Sequence, residues 1–191
     1  MEKNFWQKNK TLIIILIVVL VLIFWVVGKY NYFINQNEAI TGQWAQVENQ
    51  LQRRFDLIPN VINTVKGITK QEKDVFSQLA DARTRYAGST TVDQKATAAG
   101  QVESSLGRLL VIAENYPELK ASDNFQKLQD ELTDTEDKIE AARRFYNGSV
   151  RDFNIKIQVF PNNIFAGMVG AKTFELFQTD EGEKALPEVK F

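Results

Sequence analysis

From Leu12 to Val27 the chain carries 16 apolar residues without interruption, and Thr11 and Gly28 extend the uncharged stretch to 18. At a rise of 1.5 Å per residue such a helix spans about 27 Å, close to the ~30 Å hydrocarbon core of a bilayer. Each Leu, Ile, Phe or Val favours insertion by roughly 0.3–0.6 kcal/mol, so a transmembrane helix is expected over residues 11–28. Phe5 and Trp6 precede the run, and Tyr30, Tyr32 and Phe33 follow it, where aromatic headgroup belts belong. The segment FWVVGK from Phe24 to Lys29 offers no small-x-small cleavage site, and no cysteine is present for lipid attachment. The run therefore reads as a retained anchor and not as a cleaved signal peptide. Lys3, Lys8 and Lys10 lie before it and only Lys29 closely after it. The positive-inside rule then places residues 1–10 in the cytoplasm and the following domain on the outer side of the membrane.

Beyond the anchor the pattern is helical and strand signals are scarce. Trp44, Val47, Leu51, Phe55, Ile58, Ile62 and Val65 recur at steps of three and four, one face of a helix that can continue the anchor. Pro59 removes one backbone bond from it. The stripe resumes with Ile68, Val75, Leu79, Ala82 and Tyr86. The stretch AGSTTVDQKATAAG from Ala87 to Gly100 reads as a connection with a helix start near Asp93. A second helix carries Val102, Leu106, Leu109, Leu110 and Ala113 and stops at Tyr116–Pro117. A third opens with a predicted capping box of Asp123 and Gln126 and carries Phe125, Leu128, Leu132, Thr135, Ile139, Ala142, Tyr146, Ser149 and Phe153. That coiled-coil-like seam is expected to run to Phe160 and end at Pro161. The fold class expected is all-α: an N-terminal transmembrane helix, then an antiparallel up-down bundle over residues 29–177, then a loose polar tail over 178–191.

Chemistry is constrained by what the chain lacks. With no cysteine and no histidine, thiolate nucleophiles, triads and the usual zinc ligands are excluded. The net charge of −1 and scattered basic residues argue against a nucleic-acid partner. Gly167 and Gly170 have no accompanying lysine or strand to make a phosphate loop, and metal-ligand spacing is absent, so no cofactor or metal is expected. Carboxylates near Glu114 and in the 130–140 run read as a solvated helix face. Two polar rows remain. Arg53, Asp56, Asn60 and Asn63 line one face of the first helix, with Arg54 beside them; Glu136, Arg143, Asn147 and Asn154 line one face of the third. They read either as a contact site for a partner or, favoured here, as ion pairs and amide bonds that fix helix register. The Phe-rich stretch with Phe165, Met168, Phe174 and Phe177 reads either as a cap on the bundle end or as an apolar surface for self-association or membrane lipid.

The runs QLQRRFDLIPNVINTVKG from Gln50 to Gly67, ENYPELKASDNF from Glu114 to Phe125 and ELTDTEDKIEAARRFYNGSV from Glu131 to Val150 are long and specific. With Tyr30–Asn31, Trp44 to Val47, Asn154 and Phe160–Pro161 they make this chain resemble the LemA family of bacterial membrane proteins, from the anchor to about residue 177. Phe55 is bulkier than the small residue often found at that position in the family. The resemblance implies one membrane helix, a helical bundle and no catalytic site. It also implies partners: membrane metalloproteases and TPM-type domain proteins, beside which family members occur, and the machinery of bacterial organelle membranes. The function expected is a membrane-anchored scaffold, a homo-oligomer without enzymatic activity. The alternatives are an adaptor serving a membrane metalloprotease or envelope machinery, and a membrane-remodelling protein.

Overall fold

The computed structural model describes residues 2–66 and 73–178, with side chains described for 9–65 and 74–178. Among them six helices form: α1 (Glu2–Lys66), α2 (Lys73–Gly88), α3 (Val92–Ala113), α4 (Pro117–Lys120), α5 (Asp123–Lys156) and α6 (Asn162–Met168). The expected polar tail from 179 onward, Ile68, Phe5 and Trp6 lie outside the described side chains. The fold is all-α with an N-terminal transmembrane helix. That helix is the first part of α1, whose apolar side chains stay largely exposed around the axis, as in Leu12, Leu20 and Phe24. A helix apolar on every face suits lipid and not water. α1 continues through Pro59 to Lys66.

The chain divides into two compact units, residues 1–41 with 151–174 and residues 42–150 with 175–191. In the second unit Val47, Leu51, Phe55, Ile58 and Val65 are buried as the stripe predicts, but Val61 replaces Ile62, which is only half-buried. Both positions fit a stripe wider than one residue per turn. α2 is a separate helix, so the bundle has more than the three long helices expected. It packs on α3 through a connection of only Ser89 to Thr91. Arg85 bonds Gln101 at 3.1 Å and Arg108 bonds Gln78 at 2.9 Å, the crossed order of an antiparallel pair. α3 starts at Val92, next to the expected Asp93, and is more firmly capped than the weak start expected there. Thr91 Oγ1 accepts from the Gln94 N–H, and the Gln94 side chain accepts from the Thr91 N–H, a capping box. Its alanines Ala96, Ala98 and Ala99 are buried, so the small residues read as a connection are packing residues that admit close helix approach.

α3 ends at Ala113, short of the expected stop at Tyr116–Pro117, and Pro117 occupies the first position of the one-turn α4, where its missing N–H costs nothing. The start of α5 is capped one residue earlier than the sequence suggested: the Phe125 N–H reaches Ser122 Oγ at 3.3 Å, and Gln126 donates to the Lys120 carbonyl instead of closing a box. Phe125, Leu128, Leu132, Thr135, Ile139, Tyr146 and Phe153 are buried along it. α5 stops at Lys156, and turns fill the stretch up to Pro161.

In the first unit the core is aromatic. Phe33 meets Phe153 with centroids 6.3 Å apart, Phe153 meets Phe174 at 5.5 Å, and Trp25 meets Phe165 edge-on at 4.9 Å. α6 ends at Met168, and Gly170, two residues beyond, has a φ of 66°, the left-handed conformation glycine adopts freely. The Ala171 N–H returns to the Ala166 carbonyl and the Gly170 N–H to the Gly167 carbonyl, a Schellman stop. The Gly167–Gly170 spacing is thus a helix terminus.

Candidate functional site

The polar rows resolve into three arrangements. The first joins α1 to α5 in the second unit. Arg54, only 7% exposed, places Nη1 against Glu136 Oε2. Its neighbour Arg53 points to solvent and reaches Asp134 at 3.6 Å, where Lys138 also bonds at 2.7 Å. Adjacent helix positions differ by about 100°, so one arginine of the pair is interior and the other exterior. Burial pushes the Glu136 carboxyl above its ordinary range, although Arg54 pulls the other way. The Lys138 hydrogen bond holds Asp134 below its ordinary range. A carboxylate that keeps a net desolvation penalty beside its arginine orients helices more than it stabilises them. Asp56 accepts from Gln52 at 2.9 Å on the exposed face, where Asn60 and Asn63 also lie.

The second arrangement is a main-chain clamp that occurs once in each unit. Asn147 accepts from the Phe177 N–H at 2.8 Å and donates to the Phe177 carbonyl at 2.9 Å. Asn154 makes the same two bonds to Phe174, at 3.0 and 2.9 Å. A carboxamide carries one acceptor and one donor group, so it pairs with a peptide unit as a neighbouring strand would. Tyr146, whose phenol donates to the Glu175 carbonyl at 2.8 Å, and Arg143, stacked over Phe177 at 5.1 Å, hold the same segment in the second unit. Burial pushes the Tyr146 phenol up to about 12. Three of the four residues of the predicted α5 row, Arg143, Asn147 and Asn154, therefore hold the chain's own segment over residues 174–177.

The aromatic stretch divides the same way. Phe177 and Phe165 are buried, at 1% and 7% exposure, and Phe174 is half-buried on Phe153; of the four predicted surface residues only Met168 is open. Phe165 and Phe174 are packing residues of the first unit, and Phe177 packs against Trp44 in the second.

Sequence reasoning missed a third cluster because three helices build it. Lys95 of α3 pairs with Glu48 of α1, and its ammonium lies 5.8 Å from the centroids of both Trp44 and Tyr86. Phe55, bulkier than the small residue the resemblance leads one to expect there, supports Tyr86 at 4.1 Å. A cleft lined by Glu48, Gln52, Tyr86, Ser89 and Lys95 opens beside it. Burial, with the charge of Glu48, pushes the Tyr86 phenol up to about 12, out of reach of acid–base work near neutrality. Among the described residues no group of His, Cys, Asp or Glu is placed to hold a metal ion.

The sequence profile of the LemA family matches residues 43–191, which contain every member of these clusters in the second unit. The chain belongs to the LemA family. Its relatives include magnetosome protein MamQ 2 of Paramagnetospirillum magneticum, 28% identical over 176 residues, covering 78% of this chain and 65% of that protein. Magnetosome protein MamQ of Magnetospirillum gryphiswaldense is 27% identical over 175 residues, covering 78% and 64%. Protein LemA of Metamycoplasma hominis is 26% identical over 160 residues, covering 83% and 73%. The chain thus spans about 65% of the length of the MamQ relatives it matches. Each of the three clusters consists of contacts within the chain.

Proposed function

We propose that this LemA-family chain is a non-enzymatic, membrane-tethered scaffold that assembles with copies of itself through its helical bundle. The observation that carries the reading is Phe145 on α5, 73% exposed within the family-matched region. It stands beside Gly148, where even a Cβ would meet nothing within 4 Å. A projecting phenyl ring next to a bare helix surface is an apolar knob that a second helix can receive. Tethering by residues 11–28 raises the local concentration of bundles, so a small contact suffices for lateral assembly. Relatives named for the magnetosome and not for a reaction support a structural role. The bundle over 29–177 is assigned to the outer side of a bacterial inner membrane, on the excess of lysines before the span. The test is the mass of the full-length protein in mild detergent, by size exclusion with light scattering over a wide dilution range. An assembly larger than a dimer is expected; a monomer throughout contradicts the proposal.

A further inference from the structure

The first unit exposes a second apolar surface of different character. Residues 157–171 contain no charged side chain, and Lys156 and Lys172 flank them. Within and beside this stretch Ile155, Val159, Phe160, Ile164 and Met168 are between 44% and 79% exposed. Such a concentration of open apolar side chains in one short segment is unusual for a surface in water.

Two contacts fix its level along α1. Trp25, in the last turn of the uncharged span, packs edge-on against Phe165 at 4.9 Å. Lys29, the first charge after the span, donates to Asn162 Oδ1 at 3.1 Å. α6 therefore lies beside residues 25–29, the turn at which α1 leaves the hydrocarbon. Any side chain at that level that faces away from α1 meets lipid. Lys156, meanwhile, lies over the Tyr32 ring at 5.4 Å, one turn further along α1, where a headgroup phosphate is within reach of a lysine stem.

We propose that the turn and helix over residues 155–168 form a second, non-spanning membrane contact. In it Val159, Phe160, Ile164 and Met168 insert into the interface of the leaflet from which α1 emerges. The occupant of this face is the bilayer. This rests on reading residues 11–28 as the span. The anchor is then a two-point one: a helix through the bilayer and an apolar wedge beside it, bounded by lysines as interfacial segments are. Two points of insertion also fix the rotation of α1 about its axis, which a lone helix leaves free.

The chain has no native cysteine, so single labels can be placed without background. Nitroxides on Phe160→Cys and Met168→Cys of the full-length protein, in phosphatidylcholine vesicles, are compared with Leu20→Cys in the span and Glu38→Cys. The last is exposed and about 15 Å beyond Gly28 by helical rise. The expected result is that labels at 160 and 168 collide with oxygen several-fold more than with an aqueous nickel chelate, as at position 20, while position 38 shows the reverse. Labels at 160 and 168 that behave like position 38 overturn the proposal while leaving the span intact. A label at position 20 open to the chelate overturns the span and the wedge together. In nanodiscs holding one chain each the pattern is expected to persist; its loss there would show that a second copy, not lipid, had covered the face.

Discussion

The two units of this molecule bury and expose apolar residues by different rules. Among the described residues of 42–150 with 175–178 the core is largely aliphatic, built from Val, Leu, Ile and Ala, and large exposed apolar side chains are few, Val111 and Phe145 among them. In residues 1–41 with 151–174 the packing is aromatic, Phe153 between Phe33 and Phe174 and, separately, Phe165 against Trp25, and the exterior is apolar over much of its length. A surface is apolar or polar in proportion to the solvent it meets. The contrast assigns water to the outside of one unit and lipid to much of the other. It also gives exposed residues different meanings: Phe145 is exceptional among its neighbours, whereas Phe160 is one of many.

The largest expected effect breaks each core in turn. Phe153→Ala removes the ring between Phe33 and Phe174 and is expected to cost about 3–5 kcal/mol; Leu79→Ala in the other unit should cost about 2–5 kcal/mol. Circular-dichroism melts of the full-length protein in detergent check both, and an unaffected Phe153 variant would contradict an aromatic core. Next comes the arginine pair. Arg54→Ala leaves a half-buried carboxylate without its partner and should cost about 2 kcal/mol, while Arg53→Ala should stay within about 0.5 kcal/mol. Replacing Arg54 and Glu136 together by Met should recover most of the Arg54→Ala loss. A similar cost for both arginines would remove the interior–exterior distinction.

The two asparagine clamps sharpen the comparison, because the same device serves both units. Asn147→Ala and Asn154→Ala should each cost about 1–3 kcal/mol and raise amide exchange at Phe177 and Phe174 respectively. Exchange that rises at both amides in either variant would show that the clamps act as one. The smallest effect at neutral pH is the titration of Tyr86 and Tyr146. With folded values raised to about 12 from 10.0, their contribution is full below pH 10 and is lost as pH climbs towards 12. Tyrosinate absorbance should show both phenols titrating late. The raised Glu136 carboxyl has the same sign in acid: its contribution is present below pH 4.5 and fades as pH rises through the folded value.

Periodicity carried the long elements, the stripes of α1, α2 and α5, while the prolines marked their ends only loosely, since α3 stops at Ala113 and α5 at Lys156, each a turn or so before its proline. What it could not show has particular causes. The start of α3 near Asp93 was legible, but the packing role of Ala96, Ala98 and Ala99 was not, because alanines carry no apolar stripe strong enough to mark a face. Asn147 and Asn154 were legible as a shared face, but their partner is main chain in an extended segment, which leaves no periodic trace. Phe165 and Phe177 were ambiguous since burial of an aromatic depends on elements distant in sequence. The Lys95 cluster joins Trp44 and Glu48 of α1, Tyr86 of α2 and Lys95 of α3, and no local pattern links the three helices.

The assembly mass of two variants tests the division of labour between the apolar surfaces. By light scattering of the full-length protein in mild detergent, Phe145→Ser is expected to lower the mass towards a single chain and Phe160→Ser to leave it unchanged. A Phe160→Ser variant that dissociates while Phe145→Ser stays assembled would contradict the account.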